Sequence, residues 1–91
     1  MSDRPWRVVM TRPAERELRR LPVDAAARLA GPIASLGLDP RPPGCEKIVS
    51  SDAWRIRVGP LRVVYTVDPS TRSVVILRVA RRSESTYRLR P

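Results

Sequence analysis

The first third of the chain carries apolar residues at helical spacing, after one short apolar run. Residues 7–10 (RVVM) predict a first strand. Ala14, Leu18 and Leu21 then recur at positions i, i+4 and i+7, which places them on one face of a helix. Thr11 stands where an N-cap belongs, with a proline in the first turn. The pattern therefore predicts a strand followed directly by a capped, amphipathic helix.

A second helical stripe follows Pro22 and predicts a second helix over roughly residues 23–37. Pro32 lies within this stripe, so we expect the helix to kink or break there, because proline removes a backbone hydrogen bond. Residues 39–44 (DPRPPG) predict a loop. The positions of the stripe are Ala26, Leu29, Ile33 and Leu36.

The remainder of the chain predicts strands. Residues 54–58 and 61–67 alternate in polarity, whereas residues 73–80 form an almost continuous apolar run typical of a central strand. A short strand over residues 45–49 precedes them. The element order is β-α-α-β-β-β-β, which predicts an α+β fold with two N-terminal helices packed on a small, mainly antiparallel sheet.

The segment WRIRVGPLRVVY (residues 54–65) predicts a hairpin whose register can be derived. Gly59-Pro60 suits a two-residue type II′ turn, since glycine supplies a positive φ. The facing residues then have numbers that add up to 119, and one face becomes wholly apolar. The members of that face are Trp54, Ile56, Val58, Leu61, Val63 and Tyr65.

Three arginines occupy the other face of this hairpin. Arg57 directly faces Arg62, and Arg55 lies two residues away, with Val64 the remaining member. Like charges placed opposite each other destabilise a sheet, and neither the turn nor the two strands offer a carboxylate. Guanidinium groups match phosphate bidentately, so the arrangement predicts an anion site. The alternative is a face whose arginines splay into solvent and bind nothing.

Charge strengthens the prediction of an anionic partner. Lys plus Arg number 18 against nine Asp plus Glu, a net charge of +9. Residues 46–91 carry ten basic and four acidic residues, so +6 of this excess lies in the half that contains most of the predicted strands. A basic face is typical of nucleic-acid binding. A codon bias towards arginine is an alternative source of the basic residues, but it does not explain why acidic residues are only half as numerous as basic ones.

Several residue types and segments are absent from the sequence, and their absence argues against other classes of function. The 91 residues predict one domain, 1–91. There is no His, and the single cysteine is a poor candidate nucleophile, so we expect no metal site and no cofactor. No segment approaches the about 20 apolar residues that span a membrane, and the N-terminus lacks a signal core, which predicts a cytoplasmic protein.

Motifs along nearly the whole chain resemble the RelE/ParE superfamily of toxins from type II toxin–antitoxin systems. The first helix carries T-x-x-A-x-x-x-L-x-x-L-P and the loop carries D-P-x-x-P-G. The hairpin W-R-I-R-V-G-x-L-R-V-V-Y is the most specific match, and V-x-R-R precedes a final tyrosine. The resemblance implies a fold like that of microbial ribonucleases.

The resemblance also implies a function and a set of site residues. RelE-like members cleave mRNA in the ribosomal A site, and their basic and tyrosine positions match residues of this chain. The implied partners are a cognate antitoxin, in a possible hetero-oligomer, and the 70S ribosome with its mRNA, but no membrane. The implied catalytic residues are Arg55, Arg57, Arg62, Arg82 and Tyr87, and the implied RNA-binding residues are Arg55, Arg57, Arg81 and Arg82.

Alternatives stay open at this point. ParE-like members inhibit DNA gyrase through protein contacts without chemistry, and a nucleic-acid-binding module without catalysis would account equally well for the charge. Tyr87 could instead pack on the sheet edge, and Arg81 could be a solvated tail charge. Two positions often occupied by lysine in the RelE-like branch are arginine here, and arginine does not give up a proton, so the general base is undetermined.

Overall fold

The computed structural model describes residues 5–81. Within that range the chain forms two helices and one five-stranded sheet, with strand order β1-β5-β4-β3-β2. The sheet is antiparallel except that β1 runs parallel to β5. The elements are β1 (Arg7–Met10), α1 (Arg12–Arg20), α2 (Val23–Leu36), β2 (Glu46–Lys47), β3 (Trp54–Val58), β4 (Leu61–Asp68) and β5 (Ser73–Arg81).

The predicted α+β fold and element order are confirmed; of the kink or break expected at Pro32, the break does not occur. Helix α2 continues through Pro32 to Leu36. Leu29 and Leu36 lie on either side of the proline, and both are completely buried. Their packing stabilises the helix across the missing hydrogen bond, since most helical stability in proteins comes from an apolar face.

Helix α1 begins as its sequence predicts. The backbone N–H of Ala14 donates to the Thr11 hydroxyl oxygen at 3.2 Å, which is the N-cap bond. Ala14 is completely buried, and Leu18 and Leu21 pack against the core as partly buried residues. The predicted helical face is therefore the face that contacts the sheet.

The hairpin register is confirmed at all five pairs, including Arg57 opposite Arg62. Gly59 has φ +59°, a backbone conformation that favours glycine, so the turn is compatible with this sequence. The apolar face joins the core, where Val63 and Tyr65 have no exposed surface. The opposite face is left to the arginines.

The loop between α2 and β2 is attached to the core face of the hairpin. The Tyr65 hydroxyl donates to the Pro40 carbonyl at 2.6 Å, and burial raises the pKa of this phenol well above its usual range. The Arg41 guanidinium lies 5.3 Å from the centre of the Trp54 ring, within cation–π range. In the described part of the chain, neither helix is long and apolar enough to cross a membrane.

Candidate active site on the arginine face

The sheet surface opposite the core carries the three hairpin arginines, and we call it the arginine face. Arg57 and Arg62 are direct cross-strand partners, but their environments differ. Arg57 is exposed, whereas Arg62 retains only 5% of its accessible surface. No carboxylate within residues 5–81 lies at ion-pair distance from Arg57. Arg62 is therefore buried in the surface of this face, whereas Arg57 is exposed to solvent.

A carboxylate does lie on this face, contrary to the expectation that it lacks one. Strand β2 pairs with β3 so that Glu46 faces Arg55. Arg55 donates to the same Glu46 oxygen from Nε at 3.0 Å and from Nη2 at 2.6 Å. Residues 54–67 contain no acidic residue, and the carboxylate comes from the neighbouring edge strand β2.

All three hairpin arginines lower the pKa of the Glu46 carboxyl. The hydrogen bond from Arg55 lowers the pKa of its carboxyl below the usual value, and the positive charges of Arg55, Arg57 and Arg62 lower it further. The carboxylate is therefore ionised at neutral pH. It is also accessible, with 54% of the side chain exposed.

A bulge in β5 brings a fourth arginine to the arginine face. Tyr65 pairs with Ile76, but Val64 pairs with Arg78, so Leu77 is an extra residue on β5. Without the bulge Arg78 would face Val63 on the core side. With it, Arg78 lies beside Val64 on the arginine face, and Val79 enters the core instead.

The N-cap residue of α1 and one side chain of the helix itself hold the backbone around this bulge. The Thr11 hydroxyl donates to the Leu77 carbonyl at 3.0 Å, and one Glu17 oxygen accepts the Val79 N–H at 2.7 Å. The other Glu17 oxygen accepts from Arg78 Nε at 2.8 Å and pairs with its Nη2. Partial burial raises the pKa of Glu17, but the bonds from Arg78 and Val79 and nearby positive charge outweigh it, so the pKa is lowered.

Comparison with known proteins identifies the family. The model of the ParE toxin of the type II toxin–antitoxin system parDE matches residues 8–86. The chain belongs to the ParE toxin family. It is also 35% identical to Toxin RelE of Mycobacterium tuberculosis over 99% of this chain and 94% of that protein. Both similarities make it a toxin of the RelE/ParE superfamily.

Solved structures agree with this assignment. The toxin–antitoxin complex RelBE2 from Mycobacterium tuberculosis contains a chain 28% identical to this toxin, with a TM-score of 0.76 over 88% of this chain and 94% of that chain. The isolated RelE toxin of E. coli, 19% identical, has a TM-score of 0.77 over 91% of this chain and 90% of that chain. The second likeness shows a shared fold.

The predicted site residues of the toxin are only partly brought together. Arg55, Arg57 and Arg62 share the arginine face, as the register requires. Arg81 faces Leu61, which places it on the side of the sheet that carries the core, so its position gives no support to an RNA-binding role. Arg82 and Tyr87 lie outside the described residues.

Three candidate site residues of the toxin were not predicted from the sequence: Glu17, Glu46 and Arg78. Glu46 lies in the short strand predicted over residues 45–49, but two paired residues are too few for the sequence to fix its register against β3. Arg78 had a weaker signal, since the core positions Val74, Ile76 and Val79 break the two-residue period once. Glu17 pairs with a residue 61 positions away, and no local pattern indicates such a contact.

Proposed function

We propose that this toxin is a ribosome-dependent endoribonuclease that cleaves mRNA in the A site and thereby inhibits translation. The observation that carries the proposal is the direct pairing of Arg57 with Arg62 on the arginine face, beside Arg55. Such a like-charge pair costs about 0.2–1 kcal/mol of stability. Phosphate binding would offset that cost, because rigid strands hold the donors ready for an anion.

The proposed reaction is attack of a ribose 2′-OH on the adjacent phosphorus. The P–O5′ bond breaks, which leaves a 2′,3′-cyclic phosphate and a 5′-OH. Arg62, together with Arg82, would hold the scissile phosphate and its developing negative charge. Arg55 and Arg57 would orient the nucleophile or the flanking phosphates. The ribosome would supply orientation of the mRNA, and positioning alone can remove several kcal/mol of a barrier, up to about 7–11.

Proton transfer needs a group other than arginine, and two candidates exist. Glu46 is an ionised, accessible carboxylate beside the hairpin arginines, so it can accept the proton that leaves the 2′-OH. Its lowered pKa makes it a weak base, so it would have to remove the proton while attack on phosphorus proceeds. Tyr87 would stack on a base or pass a proton to the leaving 5′ oxygen.

The proposed partners follow from the function and from the relatives. We propose that a cognate antitoxin neutralises this chain in the cytoplasm. Solved relatives support this, since one of them is a toxin–antitoxin complex. An acidic segment that is extended or helical and folds on binding would complement the +9 net charge. It would fill the arginine face or displace the tail that carries Tyr87.

The proposal is tested by incubating mRNA with the toxin in the presence and absence of programmed ribosomes. Products should end in a 2′,3′-cyclic phosphate, and they should appear only when ribosomes are present. Glu46→Gln should slow cleavage while the Glu46→Asp variant retains more activity. Intact mRNA under both conditions would overturn the proposal.

A second candidate function is inhibition of DNA gyrase without catalysis. The family model that matches this chain describes ParE toxins, which favours that alternative. Gyrase binding gives no physical reason to place Arg57 opposite Arg62. A DNA supercoiling assay with purified gyrase separates the two functions, because the proposed ribonuclease should leave supercoiling unchanged.

A further inference from the structure

Arg55 and Arg78 occupy matching positions on either side of Arg62. Both lie in one row across the sheet, with Val64 between them. Each is therefore a diagonal neighbour of Arg62, a separation of about 7–8 Å that long side chains can span. Each also donates from Nε and Nη2 to a single carboxylate oxygen, Arg55 to Glu46 and Arg78 to Glu17.

The ion pair of Arg78 with Glu17 differs in one respect from that of Arg55 with Glu46. Glu17 keeps a second partner, the Val79 N–H, which fixes the carboxylate to the backbone of β5. The bond between Glu17 and the Val79 N–H does not involve the Arg78 side chain. Arg78 can therefore leave Glu17 while the backbone at the bulge stays bonded. The Arg78 side chain is 49% exposed, so it can turn towards a ligand on the arginine face.

We infer that Arg78 forms an additional phosphate subsite, which extends the proposed RNA site across β4 onto β5. The ligand is a phosphodiester next to the one that Arg62 holds, and Val64 and Ala80 form the small apolar floor between the two positions. Glu17 is the competing anion that holds Arg78 when RNA is absent. This inference rests on the proposed function, because it needs RNA on the arginine face.

The subsite is tested by binding of a trinucleotide RNA with 2′-O-methyl riboses, which cannot be cleaved, across a salt series. Each phosphate contact makes the plot of log K against log salt steeper, by about 0.7 per contact in a long single strand and by less in a trinucleotide. Arg78→Ala should make the slope measurably shallower than that of the wild type and weaken binding. Arg28→Ala, which removes an exposed arginine from α2, is the matched control and should leave the slope unchanged.

Glu17→Gln is the complementary variant. Its amide oxygen can still accept the Val79 N–H, so the bulge is retained while the charge that competes for Arg78 is lost. Binding should tighten several-fold with the same slope as the wild type. Arg78→Lys should keep the slope, because it keeps the charge. Melting followed by circular dichroism verifies that each variant is folded.

The possible failures are distinguishable. If the wild type binds and Arg78→Ala matches Arg28→Ala in slope, Arg78 has only a structural role and the subsite is overturned. If Glu17→Gln does not tighten binding, Glu17 is not a competitor and that part of the inference is overturned. A wild type that neither binds the trinucleotide nor cleaves mRNA on ribosomes would contradict the proposed function itself.

Discussion

The Thr11 hydroxyl donates a hydrogen bond to the carbonyl of Leu77, the extra residue of the β5 bulge. The same oxygen accepts the Ala14 N–H and so caps α1. One side chain thus connects the start of a helix to the point where the sheet register changes. The bulge decides which side chains of β5 face the core and which face the candidate site.

Replacing Thr11 tests this connection. Thr11→Ala should destabilise the protein by about 1–2 kcal/mol, because it removes an N-cap and leaves the Leu77 carbonyl without this donor. Thr11→Ser keeps the hydroxyl and is the control, with a free energy of unfolding close to that of the wild type. Urea denaturation measures both. Equal stability of the Ala and Ser variants would show that the hydroxyl contributes nothing.

Arg57→Ala separates function from stability. Removing one member of the Arg57–Arg62 pair should leave the free energy of unfolding unchanged or raise it by up to about 1 kcal/mol. Cleavage on ribosomes should fall about 10²- to 10³-fold, the usual effect of removing one preorganised donor. Arg28→Ala again serves as the control. A large drop in melting temperature would make Arg57 a structural residue and remove it from the site.

The nucleophile can be tested through the substrate rather than the protein. An mRNA with a single 2′-deoxyribose at the cleaved position should resist the toxin, because the proposed attacking hydroxyl is missing. The same message with 2′-deoxyribose three nucleotides away should be cut normally. Cleavage at the deoxy position would require water as nucleophile, and the mechanism would be wrong.

The Glu17 carboxylate predicts a pH-dependent contribution to stability. Its pKa is lower in the folded protein than the ordinary value of 4.5, so its contribution is complete above that value and is lost as pH falls through the folded pKa. At pH 7 the free energy of unfolding of the wild type should exceed that of Glu17→Gln by less than about 1 kcal/mol, since Arg78 is half exposed. Denaturation measured at decreasing pH, starting from pH 7, should show this difference shrink as the Glu17 carboxylate becomes protonated. A constant difference would mean that the charge of Glu17 is not responsible.

The antitoxin should find this toxin through charge. Stopped-flow association should slow as salt rises, because a partner with acidic residues would be steered by the +9 net charge. A triple variant with alanine at Arg55, Arg57 and Arg62 should associate more slowly and with a weaker salt dependence. An on-rate that ignores both changes would show that the antitoxin recognises other surfaces, such as the apolar parts of the helices.

Local patterns in the sequence determined much of the architecture. The cap at Thr11 and the helical spacing of Ala14, Leu18 and Leu21 predicted α1. Gly59 and the alternation of apolar and polar residues set the hairpin register, because a slip of one residue would send apolar side chains into solvent. The opposed arginines followed from that register alone. These features depend on neighbours within a few residues or across a two-residue turn.

Tertiary structure decided what the arginines meet. The bulge at Leu77 turned Arg78 towards the candidate site, and it is held by side chains from a helix some 60 positions away along the chain. Glu46 reached Arg55 through an edge strand of two residues, too short to carry a pattern of its own. Pro32 stayed inside a helix because buried leucines on both sides outweighed its missing hydrogen bond. In each case a long-range contact overrode or supplemented a local preference, and only the packed fold contains that contact.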